Sequence, residues 1–475
     1  MALLIVGLSV SGTGNALTET PLTPSDFQGE SWSKSLDLFD YVRKYAGLPG
    51  NQAPPKDWST DLRLNYINIS GVKLLYAGFA GVSTDNASLI VPVQAFIESF
   101  KTRDGLDAVT ASSFLMMMAF NDTGKSLYPD SPDVNDNLWA SFNIGRNLEE
   151  FFGENAPPRF SSSVETIPLK SSDDKREWTW GTRYKNLATI WWSLNNEGGR
   201  PGYNRIPTAF SSYDELTFSY RLVLDPAQGT AQMYISYTIG EMRELWVRSR
   251  IGFIPLIVHY NDTGAFVGGK TVSDDSIHRF LTENGIKMSL VLFQRNLVID
   301  HTTSSTSGGE NATDGSVDVS SGSVQTLTDT GQKICEVSFG DKKTYQLYNS
   351  TSDTTTSHEA VTRTADAKFY AHNPVINVQT SLLRFLPKLV RMMTATQNQN
   401  KVEEGLNITR VDYLYITSYP VFGGYKIVND PLYTAYFKPT ESVGSPAGSP
   451  SSTLPIMIVV GVAATIVVFF VMRRR

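Results

Sequence analysis

Residues 130–137 form a short segment rich in acidic and amide side chains, the residue types that could bind a cation. Its acidic and amide side chains are those of Asp130, Asp133, Asn135, Asp136 and Asn137. Oxygen ligands at alternate positions suit a hard cation such as Ca²⁺. Leu138 and Ile144 stand where an EF-hand loop has glycine and glutamate, so a solvated turn is the alternative. Ca²⁺ is the one cofactor that the sequence suggests, and no other is predicted.

Two pairs of tryptophans are candidates for an aromatic binding surface. Trp178 and Trp180 lie two residues apart and would share one face of a strand, whereas Trp191 and Trp192 would point to opposite faces. Exposed aromatic rings stack on sugars and on protein partners, but aromatic side chains also dominate protein cores. The four rings therefore predict either a binding platform or core packing.

The sequence has no recognisable catalytic motif. It lacks a Gly-x-Ser-x-Gly elbow and a phosphate-binding Gly-x-x-x-x-Gly-Lys-Ser/Thr loop, and its histidines have no short metal-ligand spacing. The histidines are His259, His278, His301, His358 and His372. Catalytic residues thus stay unassigned, and a non-enzymatic role is the preferred interpretation, although triads can assemble from distant residues.

The chain contains a single cysteine, Cys335, so it cannot form an intramolecular disulfide. Cys335 lies in a strand-like run, residues 334–337, which predicts a small buried residue rather than a reactive thiol.

Seven Asn-x-Ser/Thr sequons permit N-glycosylation. They are centred on Asn68, Asn86, Asn121, Asn261, Asn311, Asn349 and Asn407. Most of them fall in stretches expected to be turns or loops.

These residues must be positioned by a β-rich scaffold. The clearest signal is a hairpin, in which apolar residues alternate from Leu216 to Leu224 and again from Met233 to Ile239, around a turn at residues 225–229. A comparable arrangement of strands is expected near the C-terminus, with residues 411–416 followed by residues 425–428 and 433–437. Further strand-like runs are 114–120, 188–194, 253–260 and 288–299. The sequence predicts a mainly β fold with a minority of helices, an antiparallel β-sandwich-like α+β ectodomain.

Four segments have helical patterns. Apolar residues fall on one face after Pro92, from Val93 to Phe100, and a helix with Ser273 as its cap is expected to end at Asn284-Gly285. Residues 33–47 and the basic amphipathic segment 380–393 are the other two.

Two segments of low complexity, residues 301–332 and 349–364, are rich in Ser, Thr, Gly and Asp and are expected to be long surface loops. Strands on either side of the first segment could pair, which would make it an oversized hairpin loop.

The C-terminus predicts attachment to a membrane. Residues 454–472 are uncharged and apolar, long enough for a helix across a hydrocarbon core of about 30 Å, and the arginines at 473–475 favour the cytoplasmic side. Residues 440–453 have the composition of an extended stalk, and residues 1–16 resemble a signal peptide without a basic start. The exterior part is divided into residues 17–165 and a β-rich part, 166–439.

Charge and topology together define the function classes. Without the arginines at 473–475 the chain has 38 basic and 47 acidic residues, a balance of −9, which argues against nucleic acid or an anionic membrane surface as the main partner. The leading hypothesis is a single-pass membrane protein with its N-terminal domain outside the cell, acting as a surface binding, adhesion or cell-envelope module for a protein or glycan. A membrane-anchored hydrolase is the alternative, and a tethered solute-binding receptor ranks third, because the chain does not alternate strands with helices.

Overall fold

The structure is a computed structural model that describes the following parts of the chain: residues 30–37, 39–40, 43, 56, 59–83, 88–121, 139–142, 163–197, 200–203, 208–299, 303–307, 316–318, 323–328, 330–338, 344–348, 361–364, 366–370, 408–419, 426–429 and 432–439.

These residues form 26 β-strands and the helix α1 (Ile277–Glu283). The strands are β1 (Ser31–Leu36), β2 (Ser59–Ile69), β3 (Val72–Ser83), β4 (Ser88–Lys101), β5 (Asp107–Asn121), β6 (Trp139–Phe142), β7 (Ser163–Ser171), β8 (Glu177–Glu197), β9 (Arg200–Tyr203), β10 (Ala209–Asp225), β11 (Thr230–Ile239), β12 (Met242–Ile251), β13 (Ile254–Asn261), β14 (Gly264–Val267), β15 (Lys270–Ser273), β16 (Ile286–Ile299), β17 (Thr303–Ser307), β18 (Ser316–Asp318), β19 (Ser323–Thr328), β20 (Lys333–Ser338), β21 (Thr344–Tyr348), β22 (Val361–Thr364), β23 (Asp366–Tyr370), β24 (Ile408–Tyr419), β25 (Lys426–Asn429) and β26 (Leu432–Tyr436).

The strands form two large antiparallel sheets. One has nine strands in the order β1-β2-β3-β4-β5-β16-β24-β23-β18, and the other has 17 strands and includes β6 to β15. The mainly β class predicted from the sequence is confirmed. Because β5 pairs with β16 along most of its length, the nine-stranded sheet takes strands from both sides of residue 165. The predicted boundary between residues 165 and 166 therefore does not separate two sheets.

The predicted hairpin is confirmed as β10 and β11, which pair from Leu216 opposite Ile239 to Asp225 opposite Thr230. Alternate residues of both strands are buried, as period-two patterning requires. In the turn, the Asp225 carboxylate accepts hydrogen bonds from the backbone N–H groups of Ala227 and Gln228, both at 3.1 Å. The turn ends at Gly229, whose φ of 64° favours glycine.

Strand β12 continues the direction of β11, and both pair with β10 one after the other. The junction is held by the Gly240 N–H, which donates to the Glu215 carbonyl at 2.7 Å. A Cβ atom at Gly240 would lie 2.6 Å from the backbone nitrogen of Glu215, so the junction admits only glycine without a shift. We call β10, β11 and β12 together the ribbon.

The two sheets pack against each other through aromatic side chains. Tyr220 of the 17-stranded sheet lies 5.2 Å from Tyr76 and 5.8 Å from Phe96 of the nine-stranded sheet, measured between ring centroids. Trp180 stacks on the other side of Tyr220 at 5.5 Å. All four side chains are at least 95% buried and belong to one hydrophobic cluster.

The prediction of a helix after Pro92 is wrong, because this segment forms the strand β4. Gln94, Phe96, Glu98 and Phe100 are buried at alternate positions. Gln94 and Glu98 are polar, so the sequence pattern does not mark them as buried. The apolar residues that remain have the spacing of a helix face. Pro92 itself falls where the register between β3 and β4 shifts, a place that tolerates its missing N–H.

The prediction of a long loop at residues 301–332 is also wrong in part, since β17, β18 and β19 lie within this segment. Strand β17 pairs with β19 through Thr- and Ser-rich segments, and Thr326 and Thr328 of β19 are buried. Threonine suits strands despite its polarity, because its branched side chain packs well on a pleated sheet. The flanking strands β16 and β20 lie in different sheets and do not form a hairpin. The second expected loop, 349–364, ends in the strand β22.

The remaining local predictions have mixed outcomes. The helix near residues 273–285 is confirmed, but its cap is Ser276, whose hydroxyl accepts from the Arg279 N–H. Residues 33–47 begin as the strand β1, and residues 39, 40 and 43 are helical. The C-terminal strands are confirmed, but β24 pairs with β16, whereas β25 and β26 pair with β11. The segment 380–393 lies outside the described residues.

Neither terminus is covered by the description. Residues 1–16, 440–453, 454–472 and 473–475 all lie outside the described residues. Within the part of the chain that is described, no helix combines the length and apolar character needed to cross a membrane.

Replacing Trp180 by alanine should strongly destabilise the fold, because the ring contacts both sheets. We expect a loss of about 3–5 kcal/mol, typical of a large aromatic side chain removed from a core, measured by urea denaturation. Trp32→Ala is the matched control, since Trp32 stacks on Tyr66 but is only half-buried, and it should cost about 1 kcal/mol. Equal effects of the two substitutions would contradict the assigned role of Trp180.

Candidate functional site

The hairpin formed by β12 and β13 ends in an exposed apolar turn. The strands pair from Leu245 opposite Tyr260 to Ile251 opposite Ile254, which leaves Gly252 and Phe253 as a two-residue turn. Gly252 has a φ of 60°, and glycine at the first turn position suits the twist of a two-residue hairpin. We call Ile251, Gly252, Phe253 and Ile254 the apolar tip.

The apolar tip is unusually exposed. Phe253 is 102% exposed, Ile251 72% and Ile254 69%, and these are three of the four large hydrophobic side chains that are exposed among the described residues. The fourth is Val272, on β15. Single exposed apolar residues are common on protein surfaces, but a group of three neighbouring ones is a candidate contact surface.

The hairpin extends beyond its described neighbours. Strand β12 pairs with β10 only as far as Val247, and β14 pairs with β13 only from His259 onward. The described backbone beside β12 continues to Thr208, whose carbonyl accepts a hydrogen bond from the Arg248 N–H at 2.8 Å. At about 3.3 Å per residue, the three residues from Arg248 to Ile251 carry the tip about 10 Å past its described neighbours. Relative to these described residues, the tip is a projection rather than part of a groove.

Both faces of the hairpin are fixed at its base. On one face Trp246 stacks on His259, with ring centroids 4.7 Å apart and planes 5° apart, and His259 lies 6.0 Å from Phe266. On the other face Tyr260 packs on Phe280 of α1 at 4.5 Å. These contacts hold the base of the hairpin while its end projects into solvent.

Arginine and proline occupy the projecting strands just behind the tip. Arg250 lies opposite Pro255, and Arg248 lies opposite Ile257, on the face that also carries Trp246. Arg250 and Pro255 are exposed, while Arg248 is partly buried, and burial lowers the pKa of its guanidinium. Charged residues and proline on an exposed edge oppose the addition of another strand. The hairpin therefore presents its side chains, rather than its backbone, for contact.

Acidic side chains lie near the other end of this hairpin. Burial raises the pKa of Asp214, Glu244 and Asp262, and Arg243 pairs with Asp214 at 2.8 Å. Across the described ranges, no group of three or more His, Cys, Asp or Glu side chains could hold a metal ion.

A second notable feature is a polar network buried between the two sheets. Tyr76 donates a hydrogen bond to the Gln94 side-chain carbonyl and lies 3.0 Å from the Thr182 hydroxyl, while the Gln94 amide donates to the Tyr184 hydroxyl at 2.6 Å. Gln94 is on β4, whereas Tyr184 and Thr182 are on β8, so these bonds join the two sheets. Burial raises the pKa of Tyr76 and Tyr184 above the ordinary range, which keeps both phenols protonated.

Glu98, four residues along β4, is a fully buried carboxyl group. The Tyr433 hydroxyl donates to Thr110 at 2.8 Å, and Thr110 donates to Glu98 Oε2 at 3.3 Å. Oε1 is buried without a hydrogen-bond partner among the described residues. Burial raises the pKa of Glu98 to about 7, although the nearby hydroxyl groups of Tyr433 and Thr110 oppose the shift. This carboxyl can exchange a proton near neutral pH, but at 0% exposure it cannot touch a substrate.

Cys335 borders the same region. Its side chain is 2% exposed, which confirms the buried position predicted from the sequence, and burial raises the pKa of the thiol to about 12. The thiol therefore stays protonated and has little nucleophilic character.

The residues singled out in the sequence lie in different places. Trp178, Trp180 and Trp191 are 1–2% exposed and pack in the core, and Trp192 lies in β8. The cation candidates at 130–137 lie outside the described residues. Of the sequons, Asn68, Asn121 and Asn261 lie at the ends of strands, and the other four are outside the described residues.

The apolar tip and Glu98 were not identified from the sequence. The run from residue 253 to 260 was interpreted simply as a strand, although Ile251-Gly252-Phe253-Ile254 carried a signal. Turns normally attract polar residues, so three large apolar side chains around a turn glycine indicate exposure for contact. Glu98 gave no such signal, because its burial depends on the opposing sheet.

Comparison with known proteins assigns no relative to this chain: no family model matches it, and no curated protein matches its sequence.

The raised pKa of Glu98 makes stability depend on pH. Between about pH 4.5 and pH 7 the folded protein binds a proton that the unfolded chain has lost, so stability decreases as the pH rises through this window. The expected decrease is about 3 kcal/mol. Glu98→Gln, a neutral side chain of the same shape, should flatten this dependence in urea denaturation from pH 5 to pH 8. A variant with the same pH dependence as the native chain would show that another group titrates.

Proposed function

We propose that this protein is a single-pass membrane-anchored surface protein, whose sandwich-like ectodomain binds an external partner through the apolar tip. In this proposal residues 1–16 are a signal peptide, residues 440–453 a stalk and residues 454–472 a transmembrane helix. The N-terminal domain then lies outside the cell and residues 473–475 lie in the cytoplasm. The role is that of an adhesion or cell-envelope module, with glycans on exposed sequons.

The observation that supports this role is the exposure of the apolar tip. A projecting Phe253 with two adjacent isoleucines is unfavourable in water, since each such side chain would gain about 1.5–3 kcal/mol on burial. A rigid base and an edge protected by Arg250 and Pro255 make the tip suited to insertion rather than to strand pairing.

The position of residue 439, the last described residue, supports the same role. The last described residues leave the fold beside the turn of β10 and β11, where the Phe437 N–H donates to the Gly229 carbonyl at 2.9 Å. Phe437 is buried at this point. The apolar tip extends from the other end of the ribbon, about 70 Å away along the strands at 3.3 Å per residue. A stalk that starts at residue 440 would therefore leave the apolar tip at the end remote from the anchor.

The alternative of an anchored hydrolase has less support. Glu98 has the raised pKa that catalytic acids need, but it is sealed between the sheets. A tethered solute-binding receptor would have two lobes with parallel sheets, whereas the described pairings are antiparallel. The binding module therefore remains the preferred function.

The membrane anchor can be tested by truncation. We expect the full-length chain to remain with the membrane fraction after an alkaline wash, because residues 454–472 would lie in the hydrocarbon core. A chain ending at residue 453 should be released into the medium, with the same ectodomain protease pattern. Recovery of both chains as soluble cytosolic proteins would refute the proposed topology.

The contact role of the apolar tip can be tested in cells that naturally make the protein. A photo-crosslinking amino acid at position 253 should form adducts on intact cells, since the side chain would be buried against the partner. The control is the same amino acid in place of Val272, which is also exposed, and it should form few adducts. Mass spectrometry then identifies each adduct as protein, glycan or lipid. Equal yields at the two positions would contradict the assignment.

A further inference from the structure

The structure points to the chemical class of the partner. We propose that the apolar tip inserts into an anionic lipid bilayer that lies opposite the membrane of the anchor. This inference rests on the proposed function and specifies the partner of the same surface.

The shape and composition of the apolar tip suit a bilayer. Ile251, Phe253 and Ile254 form a convex end in which Phe253 is fully exposed, so they would need a deep pocket in a protein partner, whereas a fluid bilayer adapts to them. Interfacial segments bury apolar side chains about 5–10 Å into the boundary between headgroups and acyl chains. The tip extends about 10 Å past its described neighbours, which allows this depth without contact by the rest of the described sheet.

The charges behind the tip favour anionic lipid. Arg250 is one residue and Arg248 three residues from Ile251, so they lie about 3 and 10 Å behind it along the strand. When the tip is in the acyl region, these guanidinium groups reach the depth of the phosphates. Each basic residue close to an anionic membrane surface adds about fivefold to the affinity.

The local positive charge contrasts with the whole chain, whose formal net charge is −6. An acidic protein is repelled by an anionic membrane as a whole, so attraction has to be concentrated at one basic and apolar point. Strands β12 and β13 combine basic and apolar side chains at their projecting end. Pairing with a second copy of the chain is disfavoured, because Pro255 has no backbone N–H to donate and Arg250 is charged.

The test uses the full-length chain reconstituted into nanodiscs of neutral lipid. The nanodiscs are mixed with protein-free vesicles of phosphatidylcholine, with or without phosphatidylglycerol, and binding is measured by vesicle flotation. We expect binding to the anionic vesicles that falls about tenfold to a hundredfold in Phe253→Ser, as expected for the loss of one buried aromatic side chain. Arg250→Gln should weaken binding to anionic vesicles severalfold and leave the weaker binding to neutral vesicles unchanged.

Val272→Ser is the matched control, because it also removes an exposed apolar side chain, and it should bind within twofold of the native chain. Phe253 is fully exposed, so its substitution leaves the core intact, which circular dichroism verifies. Equal binding by Phe253→Ser and Val272→Ser, or no binding to vesicles, would overturn the lipid assignment. If position 253 nevertheless crosslinks to a protein on cells, the proposed function stands with a protein partner. If position 253 also yields no adducts, both proposals fail.

Discussion

Close packing of aromatic side chains between the two sheets is the interaction on which the structure depends. Tyr220 is in contact with Tyr76, Phe96 and Trp180, so one ring joins strands of both sheets. The chain has no intramolecular disulfide, and burial of apolar surface must supply its stability. The Gln94 and Glu98 networks are inserted into this apolar layer, where they constrain how the two sheets align, because each buried polar group requires a partner.

Local patterns in the sequence were sufficient to predict the hairpin of β10 and β11 and the helix α1. The hairpin of β10 and β11 follows from the alternation of apolar residues and the turn chemistry of Asp225 and Gly229, and α1 ends at the expected Asn284-Gly285. The predicted N-cap of α1, Ser273, lies three residues before the observed one, Ser276, because serine is a favourable N-cap residue at either position. Ser273 instead accepts a hydrogen bond from the Asp275 N–H at 3.1 Å within the preceding turn.

Features that depend on distant strands could not be predicted in this way. The strand β4 was interpreted as a helix, because Gln94 and Glu98 are buried only where partners from β8, β5 and β26 surround them. The pairing of β24 with β16 joins residues far apart in the chain, and nothing in their composition identifies the partner. The apolar tip was missed for a related reason. Whether Phe253 is buried or exposed depends on where the neighbouring strands end.

The direction of the ribbon has a mechanical consequence. In the proposed function, a load between residue 439 and an engaged tip would act along the strands, because residue 439 and the tip lie at opposite ends of the ribbon. Strand β26, which leads to residue 439, pairs with β11 on one side and β20 on the other. Pulling would slide β26 lengthwise between these neighbours, so its ladder hydrogen bonds would be strained together rather than opened one at a time. Such a shear arrangement resists force better than an unzipping one, so the proposed attachment would hold under tension.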